Sequence, residues 1–101
     1  MQILSHYTIA EGIAYSNSIC RITENQVKVI PYSEEIAGTV FINGIVVVDN
    51  KDLTSLAEGI NKILCKNTSN PEKVRMAAEL IQEHRGELPE LSAYHYFTLD
   101  I

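Results

Sequence analysis

FINGIVVVDN, residues 41–50, is the apolar centre of the chain and ends on an acid, Asp49, followed by Asn50. Val46, Val47 and Val48 are consecutive, so a strand through them turns apolar side chains to both of its faces. A run of that kind suits a strand covered on both sides. Asn43-Gly44 could instead close a type I′ hairpin, because both residues tolerate positive φ. The flanking arms are short for a hairpin, and a single strand with a bulge at Gly44 accommodates the valines better. The expectation is a central strand that supplies packing, with Asp49 at its end.

Upstream of this run the chain is rich in Ile, Val, Thr and Tyr, with turn residues at short intervals. Residues 2–10 predict a strand with Ile3, Ser5, Tyr7 and Ile9 on one face, and Glu11-Gly12 a turn. Residues 13–22 predict a second strand. The polar stretch 23–26 predicts a tight hairpin into a third strand over 27–32. Pro31 has no N–H for a ladder, so that strand lies at an edge or ends there. Residues 33–38 predict a loop with two acids, Glu34 and Glu35.

Downstream the period changes from two to 3.6. Leu53, Leu56, Ala57, Ile60, Ile63 and Leu64 form one apolar stripe of an amphipathic helix. Asp52 is placed to cap its first turn, and Asn67 to close it in the left-handed conformation. Gly59, inside the helix, allows a close approach. A second helix is expected from Asn70 as cap and Pro71 as first helical residue. Its buried stripe is Val74, Ala77, Ala78 and Ile81, and Gly86 is expected to end it. Residues 93–99 predict a final strand with Tyr94, Tyr96 and Thr98 opposite His95, Phe97 and Leu99. The order is strands, two helices, then a strand, which argues an α+β fold. It predicts a mainly antiparallel sheet of five or six strands, carrying the two helices of the C-terminal half and completed by the final strand. A single domain is expected over residues 1–101, with a strand-rich part over 1–50, the helices over 51–87 and the last strand over 92–99.

Composition narrows the function classes. A chain of 101 residues buries roughly 65% of the surface its unfolded form exposes, enough for one core without metal or disulfide staples. Eight basic residues face thirteen acidic ones, for a net charge of −5. No basic cluster is present to displace counterions from phosphates, so neither nucleic acid nor an anionic membrane is an expected partner. Residues 1–10 lack the basic start and apolar run of a signal peptide, and no stretch is long and apolar enough to span a bilayer. Cys20 and Cys65 are too few for a disulfide framework and too distant for a local metal knuckle. They predict two reduced thiols, and the cytoplasm is the expected location.

Tests for chemistry find little. His6, His84 and His95 have no metal-ligand spacing among them, so no metal or other cofactor is expected. Cys65 falls near a helix C-terminus, where the dipole opposes a thiolate. The glycines are scattered and form no phosphate cradle. Carboxylate pairs occur at Glu34-Glu35, Asp49 with Asp52, and Glu87 with Glu90. Of these acids only Asp49 is delivered by a rigid apolar strand, the usual mounting for a functional group. The cluster 94–97, Tyr-His-Tyr-Phe, is the best candidate contact surface, because aromatics concentrate at interface centres. The candidate binding residues are therefore Tyr94, His95, Tyr96, Asp49 and His6, with no catalytic residue assigned.

Ile3-Leu4-Ser5, the strand pair around 20–30, and the run 41–47 resemble the N-terminal strand-rich segment of amidohydrolase-superfamily enzymes. The resemblance covers residues 3–48. It implies part of a small composite β-domain, which in that family leads through a Pro-Gly step to a barrel and a metal-binding His-x-His. Here Val48 is followed by Asp49-Asn50-Lys51, without either motif, and a barrel of eight βα units takes about 250 residues. The resemblance thus implies scaffold without metal centre. The leading expectation is a non-catalytic domain acting through contact with a second copy or another protein. The alternative is a small-molecule-binding or metal-dependent hydrolase-related subunit with a pocket between sheet and helices.

Overall fold

The computed structural model describes residues 1–32 and 38–101; the Glu34-Glu35 pair and most of the loop expected over 33–38 lie outside the described residues. The fold is α+β. Strands β1 (Gln2–Ala10), β2 (Ile13–Ile22), β3 (Val27–Pro31), β4 (Thr39–Lys51) and β5 (Glu90–Leu99) form one five-stranded sheet in the order β3-β2-β1-β4-β5. Three of the four pairings are antiparallel, and β1 with β4 is parallel. Helices α1 (Ala57–Leu64) and α2 (Asn70–His84) follow β4, each flanked by a short 3-10 turn.

The opening run is one strand, as the valines require. Ser5 pairs with Ile42 and Tyr7 with Ile45, so β4 holds one residue more than β1 between these pairs. The extra residue falls at Asn43-Gly44, where Gly44 has φ +129. A Cβ there would lie 2.4 Å from the carbonyl oxygen of Leu99. Only glycine lets β5 pass so close.

The bulge corrects one expectation. Strict alternation puts Ile3 and Ile9 on a common face, yet they belong to different cores. Ile3 packs with Cys20, Ile22, Val46 and Val48. Ile9 packs with Ile45, Val47, Leu53, Ile60 and the buried stripe of α2. Between Ser5 and Tyr7 the pleat changes phase, opposite Gly44 on one side and Asn17 (φ 46) on the other. A bulge bends a strand and strengthens its twist, and here it hands the two ends of β1 to opposite faces.

The helices cover only one face. Val74, Ala77, Ala78 and Ile81 of α2 are all buried, and α2 contacts β2 and β1 while α1 packs chiefly on α2. Gly59 of α1 meets the Leu80 side chain of α2, not another backbone. The other face is closed by the sheet itself. Tyr94 N–H of β5 donates to the Glu24 carbonyl in the β2–β3 turn at 3.0 Å, joining the two ends of the sheet. Val27 and Val29 of β3 and Tyr94 of β5 pack against the inner core from either side. Val46 and Val48 on this face, and Val47 on the helix face, are each at most 1% exposed.

Local signals were displaced by about one residue at the helix ends. Asp52 accepts from the N–H and hydroxyl of Thr54, as a cap should, but the turn it starts is 3-10 over Thr54–Leu56 before α1 begins. Ser69, not Asn70, caps α2, accepting from Glu72 N–H at 3.4 Å. Asn67 is not left-handed, since Glu11 and Asn17 are the non-glycine residues with positive φ among those described. Gly86 does not end α2 in a left-handed cap either: the helix tightens into the 3-10 turn Arg85–Glu87. Both ends stay right-handed because the next residues continue i→i+3 bonding, as in Lys66 N–H to Ile63 O and Leu88 N–H to Arg85 O.

Candidate functional site

Two recesses and one strand edge are candidates, and they divide the sequence-derived residues among them. The first recess is a cleft of about 430 Å³ between α1 and β5. Its floor is the helix-facing side of β4 and β5, where Asp49 pairs with His95, Val47 with Phe97 and Ile45 with Leu99. Its wall comes from Leu53, Ala57 and Ile60, and Leu91 closes one end. The cleft exists because α1 is short and leans on α2, leaving the outer part of β5 without a helical cover. Phe97 is accordingly 39% exposed on a face that is otherwise core.

Asp49 lines this cleft, but its carboxylate is engaged. Oδ2 accepts from Arg85 Nε at 3.2 Å, and Oδ1 accepts from an Arg85 terminal nitrogen at 2.9 Å and from Lys51 N–H at 3.1 Å. The carboxylate beside it raises the Arg85 guanidinium further above its ordinary value, against the opposing pull of burial. Arg85 also faces Glu11 at 3.6 Å. Sequence reading did not single out this arginine as a partner of Asp49, and no local pattern could have: the two lie 36 positions apart.

The candidate residues separate. Tyr94 is half-buried against the inner core, and burial together with the Glu11 carboxylate pushes its phenol up. Tyr96 is 40% exposed on the same strand. His95 lines the first cleft. His6 lies on the far side of β4, where it meets Phe41 edge-on with ring centroids 5.6 Å apart. It lines a second, more polar recess of about 530 Å³ with Asn17, Asn43, Asn70 and Asp100. His6 and His95 therefore serve different recesses. Among the described residues no three His, Cys, Asp or Glu side chains converge as a metal site would require, and no helix is long and apolar enough to cross a membrane.

The strand edge is the N-terminal half of β4. β5 pairs with β4 only from Ile45 onwards. Residues 39–42 pair with β1 on one side, and among the described residues no strand pairs with residues 39–43 on the other. Val40 and Phe41, consecutive and so on opposite faces, are 51% and 58% exposed. By composition this stretch belongs in the middle of the sheet, because its continuation 45–48 is that of a covered strand, but β5 covers only the part from Ile45 onwards.

No family model, curated protein or solved structure matches the chain.

Proposed function

We propose that this protein is a non-catalytic domain that works through protein–protein contact, pairing with a second copy of itself along the open half of β4. The observation that carries the reading is the exposed edge over residues 39–43 with its unshielded Val40 and Phe41. Edge strands are normally blunted by charge, proline or a cover. β3, the edge on the other side, follows that rule with Lys28 and Pro31, and β5 is tied to the β2–β3 turn. Thr39-Val40-Phe41-Ile42-Asn43 has none of these devices and no charge.

A second copy fits this edge because an antiparallel pairing centred on Phe41 is self-complementary, as a two-fold interface must be. Elsewhere the net charge of −5 opposes the approach of like surfaces. An uncharged edge is where two copies meet at least electrostatic cost. Free Cys20 and Cys65 support a reducing compartment, the cytoplasm, as the place of action.

Size-exclusion chromatography with light scattering tests the reading. The expected result is a dimer at micromolar to millimolar concentration, converted to a folded monomer by Phe41→Lys. A native chain that remains monomeric at millimolar concentration would overturn it.

A further inference from the structure

We infer that the second recess, between the start of α2 and the middle of the sheet, is a binding site for a small neutral polyhydroxylated molecule of the monosaccharide class. The inference goes beyond the pairing of copies proposed above: each protomer carries the whole recess, although Asn43 also ends the open edge of β4.

The recess lies where the sheet is interrupted. Ser5 pairs with Ser18 and Tyr7 with Ser16, which leaves His6 level with Asn17 but without a ladder partner. On the other side of β1, Asn43 and Gly44 bulge out of register between the same two levels. Asn17 has φ 46 and Gly44 φ 129. Three neighbouring strands thus depart from regular pairing at one level, and there Asn17, His6 and Asn43 line one recess of about 530 Å³. Asn70, at the start of α2, lines it from the helix layer. The volume is that of a small-molecule site, which spans about 300–1,000 Å³.

The backbone that carries these groups is held in place. The Asn17 carbonyl accepts from Tyr32 N–H at 3.1 Å. Gly44 lies against the Leu99 carbonyl, the His6 ring stands edge-on to Phe41, and Tyr7 packs on the helix-face core. A guest would meet a scaffold already arranged, and little backbone freedom is lost on binding.

Hydrogen-bonding character decides the guest. Among the described residues the carboxamides of Asn17, Asn43 and Asn70 have no hydrogen-bond partner. Each carboxamide offers N–H donors and a carbonyl acceptor, and a serine hydroxyl or a neutral imidazole can likewise donate and accept. Among the described residues no Lys or Arg lines the recess, and Asp100 does. An anion would face Asp100 without a matching cation. An ammonium carries donors only and would leave the amide N–H groups without acceptors. A set of hydroxyls, each both donor and acceptor, matches the carboxamides. Tyr7 and Pro71 add apolar surface on which the C–H face of a sugar ring can rest.

Glucose, galactose and mannose, each titrated to about 100 mM into isotopically labelled protein and followed by amide chemical shifts, provide the test. At least one is expected to bind saturably with a Kd of about 1–10 mM, shifting residues around His6, Asn17, Asn43, Gly44 and Asn70. The uronic acid of the same sugar should bind more weakly, because its carboxylate meets Asp100. Asn17→Gly keeps the positive φ and removes the carboxamide, and Asn70→Ala changes an exposed position beside the Ser69 cap. Each should weaken binding about fivefold, the worth of one hydrogen bond, with the rest of the spectrum unchanged. Val40→Lys, which breaks the proposed pairing along β4, should leave the affinity as it is, so the two readings fail separately. Absence of saturable shifts with all three sugars, shifts centred elsewhere, equal or tighter binding of the uronic acid, or undiminished binding in both asparagine variants would overturn the inference.

Discussion

Arg85 holds Asp49 through two nitrogens, joining the end of α2 to the end of the central strand. The Asp49 side chain is 2% exposed and that of Arg85 23%. The carboxylate, almost wholly covered, keeps little access to water if its partner is lost, whereas the guanidinium has both water and Glu11 within reach. A buried pair of this kind is more costly to break than it is valuable to own.

The asymmetry is measurable. Arg85→Ala should destabilise the fold by about 3 kcal/mol, because it strands a buried charge with only the Lys51 N–H for company. Asp49→Ala should cost about half as much, since Arg85 can turn outward. Urea unfolding with unchanged slope should report both as shifts in midpoint.

The valines provide a second test. Val46 and Val47 lie in different cores, one inside the rolled sheet and one under the helices. Val46→Ala and Val47→Ala should each cost about 2 kcal/mol through lost contacts and a residual cavity. Ile13→Ala, on an exposed position of β2, should stay within about 0.5 kcal/mol. Equal effects at all three positions would contradict a strand covered on both faces.

The cysteines should differ in reactivity. Burial pushes the Cys20 thiol up to about 11, while Cys65 is exposed. At pH 8 a thiol-specific reagent should label one cysteine in the native protein and both after denaturation. Because Cys20 holds its proton more tightly when folded, its contribution to stability is complete below the ordinary thiol value of 9.0 and is lost as pH rises towards 11. Cys20→Ser would leave a hydroxyl in the inner core and should flatten that alkaline decline while lowering stability overall.

Gly44 separates paired from unpaired β4. Gly44→Ala would drive a Cβ into the Leu99 carbonyl and should release the C-terminal end of β5, costing about 2 kcal/mol or more. Gly86→Ala, with open space around its Cα, should be neutral or slightly stabilising. Hydrogen exchange of the Leu99 and Ile45 amides would localise the difference.

Much of the fold was legible because it depends on short-range repetition. The run of valines and the stripe of α2 each follow from the geometry of one element, and each appears where the pattern puts it. Helix ends were less legible. Asp52 and Ser69 compete with neighbouring polar residues for the same backbone donors, and packing selects the winner. The candidate site was least legible. Asp49 was visible as an acid on a rigid strand, but its partner, the cleft beside it and the open edge at Phe41 all depend on where β5 stops.

By itself the sequence determined the kinds of element, their order and the two-sided burial of residues 45–48, because local periodicity and the demand to hide apolar surface act along the chain. Tertiary structure decided that β4 lies parallel to β1, that Ile3 and Ile9 belong to opposite cores, and that Arg85 meets Asp49. These depend on contacts between residues distant in sequence, whose free energy exists only once the sheet has rolled and the helices have settled on one side of it.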